Sequence, residues 1–350
     1  MSERTGKISH QFFKQFFQDK CGKKRSEVTV GPQFGVDVSV INLPNGQAMA
    51  MASDPMSLIP SLGLRESAWL SVHLVTNDIA TTGFPPMYGQ FVLNLPAQFS
   101  QKEFQTYWDY IHQFSSELGI AITGGHTGFI EGQNSTIAGG VTLVTIAKQN
   151  QLLTSKLAGP GDAILVTKGC AISSVAILAK SFPKTVKNKA GIEHYHNACE
   201  LFNDISVLKD ALTAMDGETG KEVTAMHDVT EGGVLGAIYE MAIASDNGAL
   251  IYKDKLPISE TQSRVCEIFS LAAPDCIGAG SMIITCKKNA VPKIISKLKI
   301  NNIYCTEVGE ITKKSNGIKL HEKGRESDLI YKEKDPYWEA FFKALKSGWK

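Results

Sequence analysis

The sequence predicts a two-domain protein of the α/β class, on three observations. Its 350 residues exceed what one ordinary core organises. Segments of helical and strand periodicity alternate along the chain without a long structureless loop. Leu157-Ala158-Gly159-Pro160-Gly161-Asp162 then separates two apolar strands by a rigid turn, so the expected domains span 1–150 and 158–335.

A first helix is expected over 9–19, capped by Ser9, with Phe12, Phe13, Phe16 and Phe17 at helical spacing as a packing stripe. Strands over 36–43 and 48–52 flank Pro44-Asn45-Gly46, a turn that makes them a hairpin. A helix over 66–81, a strand over 87–95, a helix over 102–118, a short strand over 120–123 and a long β-branched strand over 136–148 complete the first domain. After the boundary come a strand over 163–167, a short helix over 173–180, a longer one over 195–213 and a strand over 223–226. Helices over 234–245, 259–271 and 290–298 alternate with strands over 282–286 and 304–311. The tail beyond is polar and expected at the periphery, except for the stretch 338–345.

Composition narrows the partners. A net charge of +1 gives no electrostatic footprint for nucleic acid. Seven cysteines, odd in number and without a Cys-x-x-Cys pair, suit reduced thiols in the cytoplasm. Cys170, Cys266, Cys276 and Cys286 lie in apolar runs and read as inert, whereas Cys21 has lysines around it that would make an exposed thiol reactive. Met1-Ser2-Glu3-Arg4-Thr5-Gly6-Lys7 holds no apolar signal core, and no run approaches the roughly eighteen apolar residues of a membrane span, so no membrane association is expected.

The chemistry concentrates in His227-Asp228-Val229-Thr230-Glu231-Gly232-Gly233, which leads from an apolar strand into a helix. Its glycines allow a tight turn and would leave amides free for an anion at the helix N-terminus, while Asp228 and Glu231 supply oxygen ligands of the type Mg²⁺ takes. Four more segments place acids or glycines at element edges: Gly31-Pro32-Gln33-Phe34-Gly35-Val36-Asp37, Ser53-Asp54-Pro55, Thr76-Asn77-Asp78-Ile79 and Thr123-Gly124-Gly125-His126-Thr127-Gly128. Each has a plain alternative, since Asp37 could face solvent from a strand and both Asp54-Pro55 and Gly124-Gly125 could be turns. Asn77-Asp78 interrupt an apolar helical pattern, where buried polar groups need either Mg²⁺ and phosphate oxygens or a side-chain network as partners. Neither a Walker A loop nor a Rossmann fingerprint is present.

Taken in order with Gly6-Lys7-Ile8, Val75-Thr76-Asn77-Asp78-Ile79-Ala80 and Gly159-Pro160-Gly161-Asp162, these motifs resemble those of the aminoimidazole ribonucleotide (AIR) synthase superfamily. Within it, the chain is similar to the AIR-synthase-related proteins close to the hydrogenase-maturation protein HypE, over residues 6–311. The resemblance implies a PurM-like fold of mixed α+β and α/β character. Its N-terminal, ATP-binding domain would join that of a second copy in a shared β-barrel, followed by an α/β C-terminal domain. It implies a homodimer with ATP and Mg²⁺ as cofactors. Asp37, Asp54, Asp78 and Asp228 would hold the metal, and Asn77, Gly124, Gly125, His126, Thr127, Gly232 and Gly233 would line the nucleotide. Lys7 would approach the phosphates and act with Asp78 and Asp228 in catalysis. The implied reaction is Mg²⁺-dependent phosphoryl transfer from ATP to an amide- or phosphate-type oxygen of a small substrate, with the protein positioning groups and neutralising charge.

The sequence also departs from its relatives. HypE proper ends in a carrier cysteine, whereas this chain ends Lys346-Ser347-Gly348-Trp349-Lys350. Selenophosphate synthetases place a reactive cysteine or selenocysteine just ahead of the lysine matching Lys7, where Thr5-Gly6 stand here. AIR synthase carries Gly-Val-Gly-Thr-Lys where this chain has Met49-Ala50-Met51-Ala52-Ser53-Asp54-Pro55, and a glutamate at the position of His126. Two other readings stay open: a small-molecule kinase like thiamine-monophosphate kinase, which needs the same acids without a carrier thiol, and a non-catalytic nucleotide-binding protein. A maturation partner protein that delivers substrate is compatible with the first reading.

Overall fold

The computed structural model describes residues 6–350 and divides the chain into two compact units. One gathers Ser26–Val30 and Val38–Leu152; the other gathers the N-terminal segment up to Arg25, Gly31–Asp37 and Leu153–Lys350. The N-terminal segment carries α1 (His10–Phe16), capped by the Ser9 hydroxyl, which accepts from the Phe12 amide at 3.1 Å. The expected packing stripe is corrected here. The helix buries no side chain; Phe13 stacks on Phe17 and Phe12 meets Phe16 at a tilt instead of entering a core.

The smaller unit contains β1 (Val28–Val30), β2 (Ser39–Asn42), β3 (Gln47–Ser57), α2 (Leu64–Ala80), β4 (Tyr88–Pro96), α3 (Gln101–Glu117), β5 (Ala121–Ile130) and β6 (Ile137–Lys148). Its strands form one sheet in the order β1-β2-β3-β6-β4-β5, antiparallel except for the parallel pair β4–β5. The expected β2–β3 hairpin forms, with Ser39 opposite Met51 and Asn42 opposite Ala48. Period-2 alternation turns Ala48, Ala50 and Ala52 of β3 and Phe91, Leu93 and Leu95 of β4 inward. There they meet Val72, Val75 and Ile79 of α2 and Tyr107, Ile111 and Phe114 of α3 in one core.

β5 runs well past the short strand expected over 120–123. Gly124 and Gly125 lie within it, opposite Gln90 and Phe91, so the alternative of a turn at this pair is corrected. A Cβ at Gly125, whose φ is +145°, would stand 1.7 Å from the Phe91 carbonyl oxygen. Only glycine lets β5 close on β4 here. β5 forms one edge of the sheet and is exposed along most of its length.

The larger unit contains β7 (Ala163–Thr167), α4 (Ile172–Ser181), α5 (Pro183–Ala190), α6 (Ile192–Glu200), α7 (Leu208–Met215), β8 (Val223–Asp228), α8 (Gly233–Ala244), β9 (Gly248–Tyr252), α9 (Glu260–Ile268), β10 (Met282–Cys286), α10 (Val291–Ile300), β11 (Cys305–Thr312), β12 (Ile318–Glu322), β13 (Arg325–Asp328) and α11 (Pro336–Lys346). The strand order is β13-β12-β9-β11-β7-β10-β8, antiparallel except for β12–β9. β7 and β10 are buried at every position, which is why they read as unbroken apolar runs.

The helix expected over 195–213 is two helices, α6 and α7, with a break around Asn203-Asp204-Ile205-Ser206. Short polar side chains compete with the helical backbone, and Lys168 Nζ takes the carbonyls of Asp204 and Ser206 at 2.8 and 2.7 Å. In the Gly159-Pro160-Gly161-Asp162 turn, Asp162 is buried, accepts the Gly159 amide at 2.8 Å and pairs with Lys287 at 2.7 Å. Its role is to hold the turn. No helix among the described residues is long and apolar enough to cross a membrane.

Candidate functional site

β8 lies at the edge of the larger unit's sheet and ends in His227 and Asp228, both buried. The turn Gly31–Asp37 brings Asp37 to the same place. Its anchor is Gly35 at φ +76°, where a Cβ would lie 2.3 Å from the Glu240 carbonyl oxygen, so the turn rests directly on the α8 backbone. Asp37 and Asp228 each offer a carboxylate oxygen within 4.8 Å of the other's.

A line of alternating charge runs from Asp37 into the unit. His227 Nδ1 donates to Asp37 Oδ2 at 2.7 Å, Ser155 Oγ lies 3.1 Å from the same nitrogen, and His227 Nε2 is 3.4 Å from Glu240 Oε2. Glu240, on α8, also accepts from Lys7 Nζ at 3.0 and 3.2 Å and from the Tyr331 hydroxyl at 2.9 Å. Burial alone would lower the His227 pKa, but the Asp37 and Glu240 carboxylates override it and raise it to about 10. Burial would likewise raise that of Glu240, but the charges and hydrogen bonds of Lys7 and His227 bring it down to about 2. His227 and Lys7 are therefore cations and Glu240 an anion at neutral pH. Buried charges persist when paired in this way.

The glycines that end the motif serve packing. The expectation that Gly232 and Gly233 leave their amides free is corrected: Gly232 N donates to Asp335 Oδ2 at 2.7 Å and Gly233 N to the Thr230 carbonyl at 3.2 Å. A Cβ at Gly233 would stand 2.5 Å from the Pro274 carbonyl oxygen. Asp335 fills the place an anion would take at this helix start. Burial, opposed by the Gly232 and Tyr337 amides, raises its pKa to about 6. Glu231 is engaged as well, accepting the Lys7 amide at 2.7 Å and Trp338 Nε1 at 2.9 Å.

The remaining expected residues belong to the smaller unit. Asp54 lies within β3 opposite Val141, not in a free turn. Asn77 is fully buried on α2, with Asp78 half-buried beside it. Gly124, Gly125, His126 and Thr127 line the exposed edge strand β5. Burial holds the Cys170 and Cys286 thiols up at about 12, in keeping with inert side chains, and Cys21 is exposed.

Sequence reasoning missed Glu240, Tyr331, Asp335 and Trp338. Glu240 had a signal, because it is the lone charge in the apolar helix Gly233–Ala244. Trp338 had a weaker one, standing at the head of the stretch 338–345 set apart from the polar tail; Tyr331 and Asp335 had none, since a polar tail reveals nothing of where it folds back.

Two family models match the chain: AIR synthase related protein, N-terminal domain, over residues 35–147, and AIR synthase related protein, C-terminal domain, over residues 159–321. A selenide, water dikinase of Methanococcus maripaludis is 30% identical over 312 residues, covering 82% of this chain and 87% of that protein. Among solved structures, the crystal structure of a HypE–HypF complex superposes with a TM-score of 0.71 at 18% identity, covering 92% of this chain and 99% of that one. The hydrogenase maturation protein HypE in complex with ATP gives a TM-score of 0.67 at 17% identity over 86% of this chain and 89% of that one.

Proposed function

The chain belongs to the AIR synthase related family, and from that premise we propose that it is an ATP-dependent enzyme. It transfers a phosphoryl group from ATP, with Mg²⁺, to an amide- or phosphate-type oxygen of a small substrate. The observation that carries this reading is the Asp37–Asp228 pair, two hard oxygen donors brought within 4.8 Å of each other and backed by a line of paired buried charges. Such a donor set fits Mg²⁺. Asp54 and Asp78 complete the metal-holding acids of this reading, and Asn77 with Gly124, Gly125, His126 and Thr127 lines the nucleotide. Gly232 and Gly233 contribute the shape of the turn and not free amides.

Bound Mg²⁺ would screen the phosphate charges and polarise the transferred group. The chain's own groups do the rest. His227 orients the Asp37 carboxylate, and Lys7 brings an ammonium to the phosphates. No covalent carrier is assigned, since Thr5-Gly6 precede Lys7 where selenophosphate synthetases would have a thiol or selenol.

The protein of this reading is a homodimer joined through its N-terminal domains in a shared β-barrel, and the open, apolar edge strand β5 supports that. It works in the cytoplasm, in keeping with seven cysteines that are all free thiols. A partner protein handing over the substrate is supported by a solved relative that is itself a complex, HypE with HypF. Calorimetric titration of ATP with and without Mg²⁺, followed by identification of the nucleotide product, tests the assignment. Mg²⁺-dependent binding with release of ADP is expected; no nucleotide binding at all would remove it. ADP together with a stably phosphorylated small molecule would identify the reaction as that of a kinase.

A further inference from the structure

Glu240 takes no place among the metal-holding acids, yet its buried carboxylate is engaged on several sides. Donors from three distant parts of the chain converge on its carboxylate: Lys7 from the N-terminal segment, His227 from β8 and Tyr331 from the C-terminal segment. It is 2% exposed, so it cannot itself meet a substrate. Lys7 differs. Its side chain is 45% exposed while its ammonium is drawn onto Glu240, and its backbone amide is fixed separately by Glu231 at 2.7 Å.

A lysine held at both ends has few rotamers left, whereas a half-exposed lysine without the inner anchor would swing into water. We propose that Glu240 is a positioning residue: it seats the Lys7 ammonium, through one continuous line with His227 and Asp37, where the phosphoryl-transfer reading needs a fixed cation. A cation already in place costs no reorganisation when the triphosphate arrives, and can then be shared between Glu240 and the phosphate oxygens. The proposal rests on the function assigned above.

The test uses the full-length protein and two independent readouts. The first is reductive methylation of the nucleotide-free protein, with the extent of labelling at Lys7 read by peptide mass spectrometry. Glu240→Gln is expected to raise Lys7 labelling about fivefold or more by releasing the ammonium, and Tyr331→Phe, which removes one supporting hydrogen bond, about twofold. The second is ATP turnover. Glu240→Gln is expected to lower kcat roughly 10- to 100-fold with KM for MgATP within about threefold, and Glu240→Asp to recover part of the loss.

In a Lys7→Met background, Glu240→Gln should lower kcat by less than about twofold more, because both changes remove the same contribution. Circular dichroism reports whether each variant folds, and Tyr331→Phe carries the test if Glu240→Gln does not. Unchanged Lys7 labelling overturns the proposal, as does a full further loss of kcat in the Lys7→Met background. Absence of turnover in the parent protein would instead remove the phosphoryl-transfer reading, and the labelling ratio would still decide whether Glu240 seats Lys7.

Discussion

Two carboxylates within 4.8 Å repel each other unless a counter-charge stands nearby. His227 supplies one on the Asp37 side, the Lys7 ammonium attracts both carboxylates, and a bound metal would add to these in the proposed function. Asp228→Asn is therefore expected to cut Mg²⁺-dependent ATP turnover by about 100-fold or more, with the fold intact by circular dichroism. Turnover within a few-fold of the parent would take Asp228 out of the site. Asp78→Asn, in the smaller unit, is expected to abolish Mg²⁺-dependent turnover with the fold intact by circular dichroism, and retained turnover would exclude Asp78 in the same way. Gly35→Ala acts through the backbone. A methyl group 2.3 Å from the Glu240 carbonyl must push the turn off α8, at a cost of about 1–3 kcal/mol in thermal unfolding, and Asp37 moves with it. An unchanged melting temperature would show that the turn does not rest on α8 as described.

At the scale of elements, α2 carries an unusual load. His73 is buried with neither ring nitrogen hydrogen-bonded, stacked 3.6 Å from Trp69, and burial lowers its pKa to about 3. A histidine whose folded pKa lies below its unfolded value of 6.5 contributes stability that is present above pH 6.5 and lost as pH falls through 3. Stability should thus decline in that window by up to about 1.4 kcal/mol per pH unit from this residue, and His73→Phe should flatten the decline in acid-titrated chemical denaturation. An identical slope in the variant would assign the acid sensitivity elsewhere.

The same scale explains what the sequence made legible. β7 and β10 were readable because strands buried on both faces must be apolar throughout, and the β2–β3 hairpin because Pro44-Asn45-Gly46 allows little else. The long β5 was not, since Gly125, one of its three glycines, answers a packing requirement of the neighbouring Phe91 backbone that periodicity does not register. The break between α6 and α7 depends on Lys168, more than thirty residues upstream, and such tertiary claims on carbonyls leave no local pattern. In the site, acids at element ends stood out against apolar surroundings. The partners of Lys7 did not, because a salt bridge spanning 233 positions is fixed only by the fold.

For the molecule as a whole, the proposed homodimer turns on one edge of the smaller unit. Among the described residues β5 ends its sheet without a further strand, and Phe129, Ile130 and, from β6, Ile137 are 55, 45 and 46% exposed. Proteins ordinarily protect such an edge with charge, proline or a covering element, and β5 from Ala121 to Ile130 contains neither a lysine nor a proline. Pairing with a second copy, as the proposed homodimer requires, would satisfy the open backbone groups and remove the apolar side chains from water together. The double variant Phe129→Glu/Ile130→Lys puts charge on that edge and is expected to convert the proposed dimer into a monomer in light scattering at micromolar concentration. Because Gly124, Gly125, His126 and Thr127 lie on the same strand, separating the copies should also weaken MgATP binding, measured by calorimetry. A variant that stays dimeric would place the interface elsewhere. A monomer with undiminished nucleotide affinity would divorce the edge strand from the nucleotide, leaving the acids of the larger unit to account for binding.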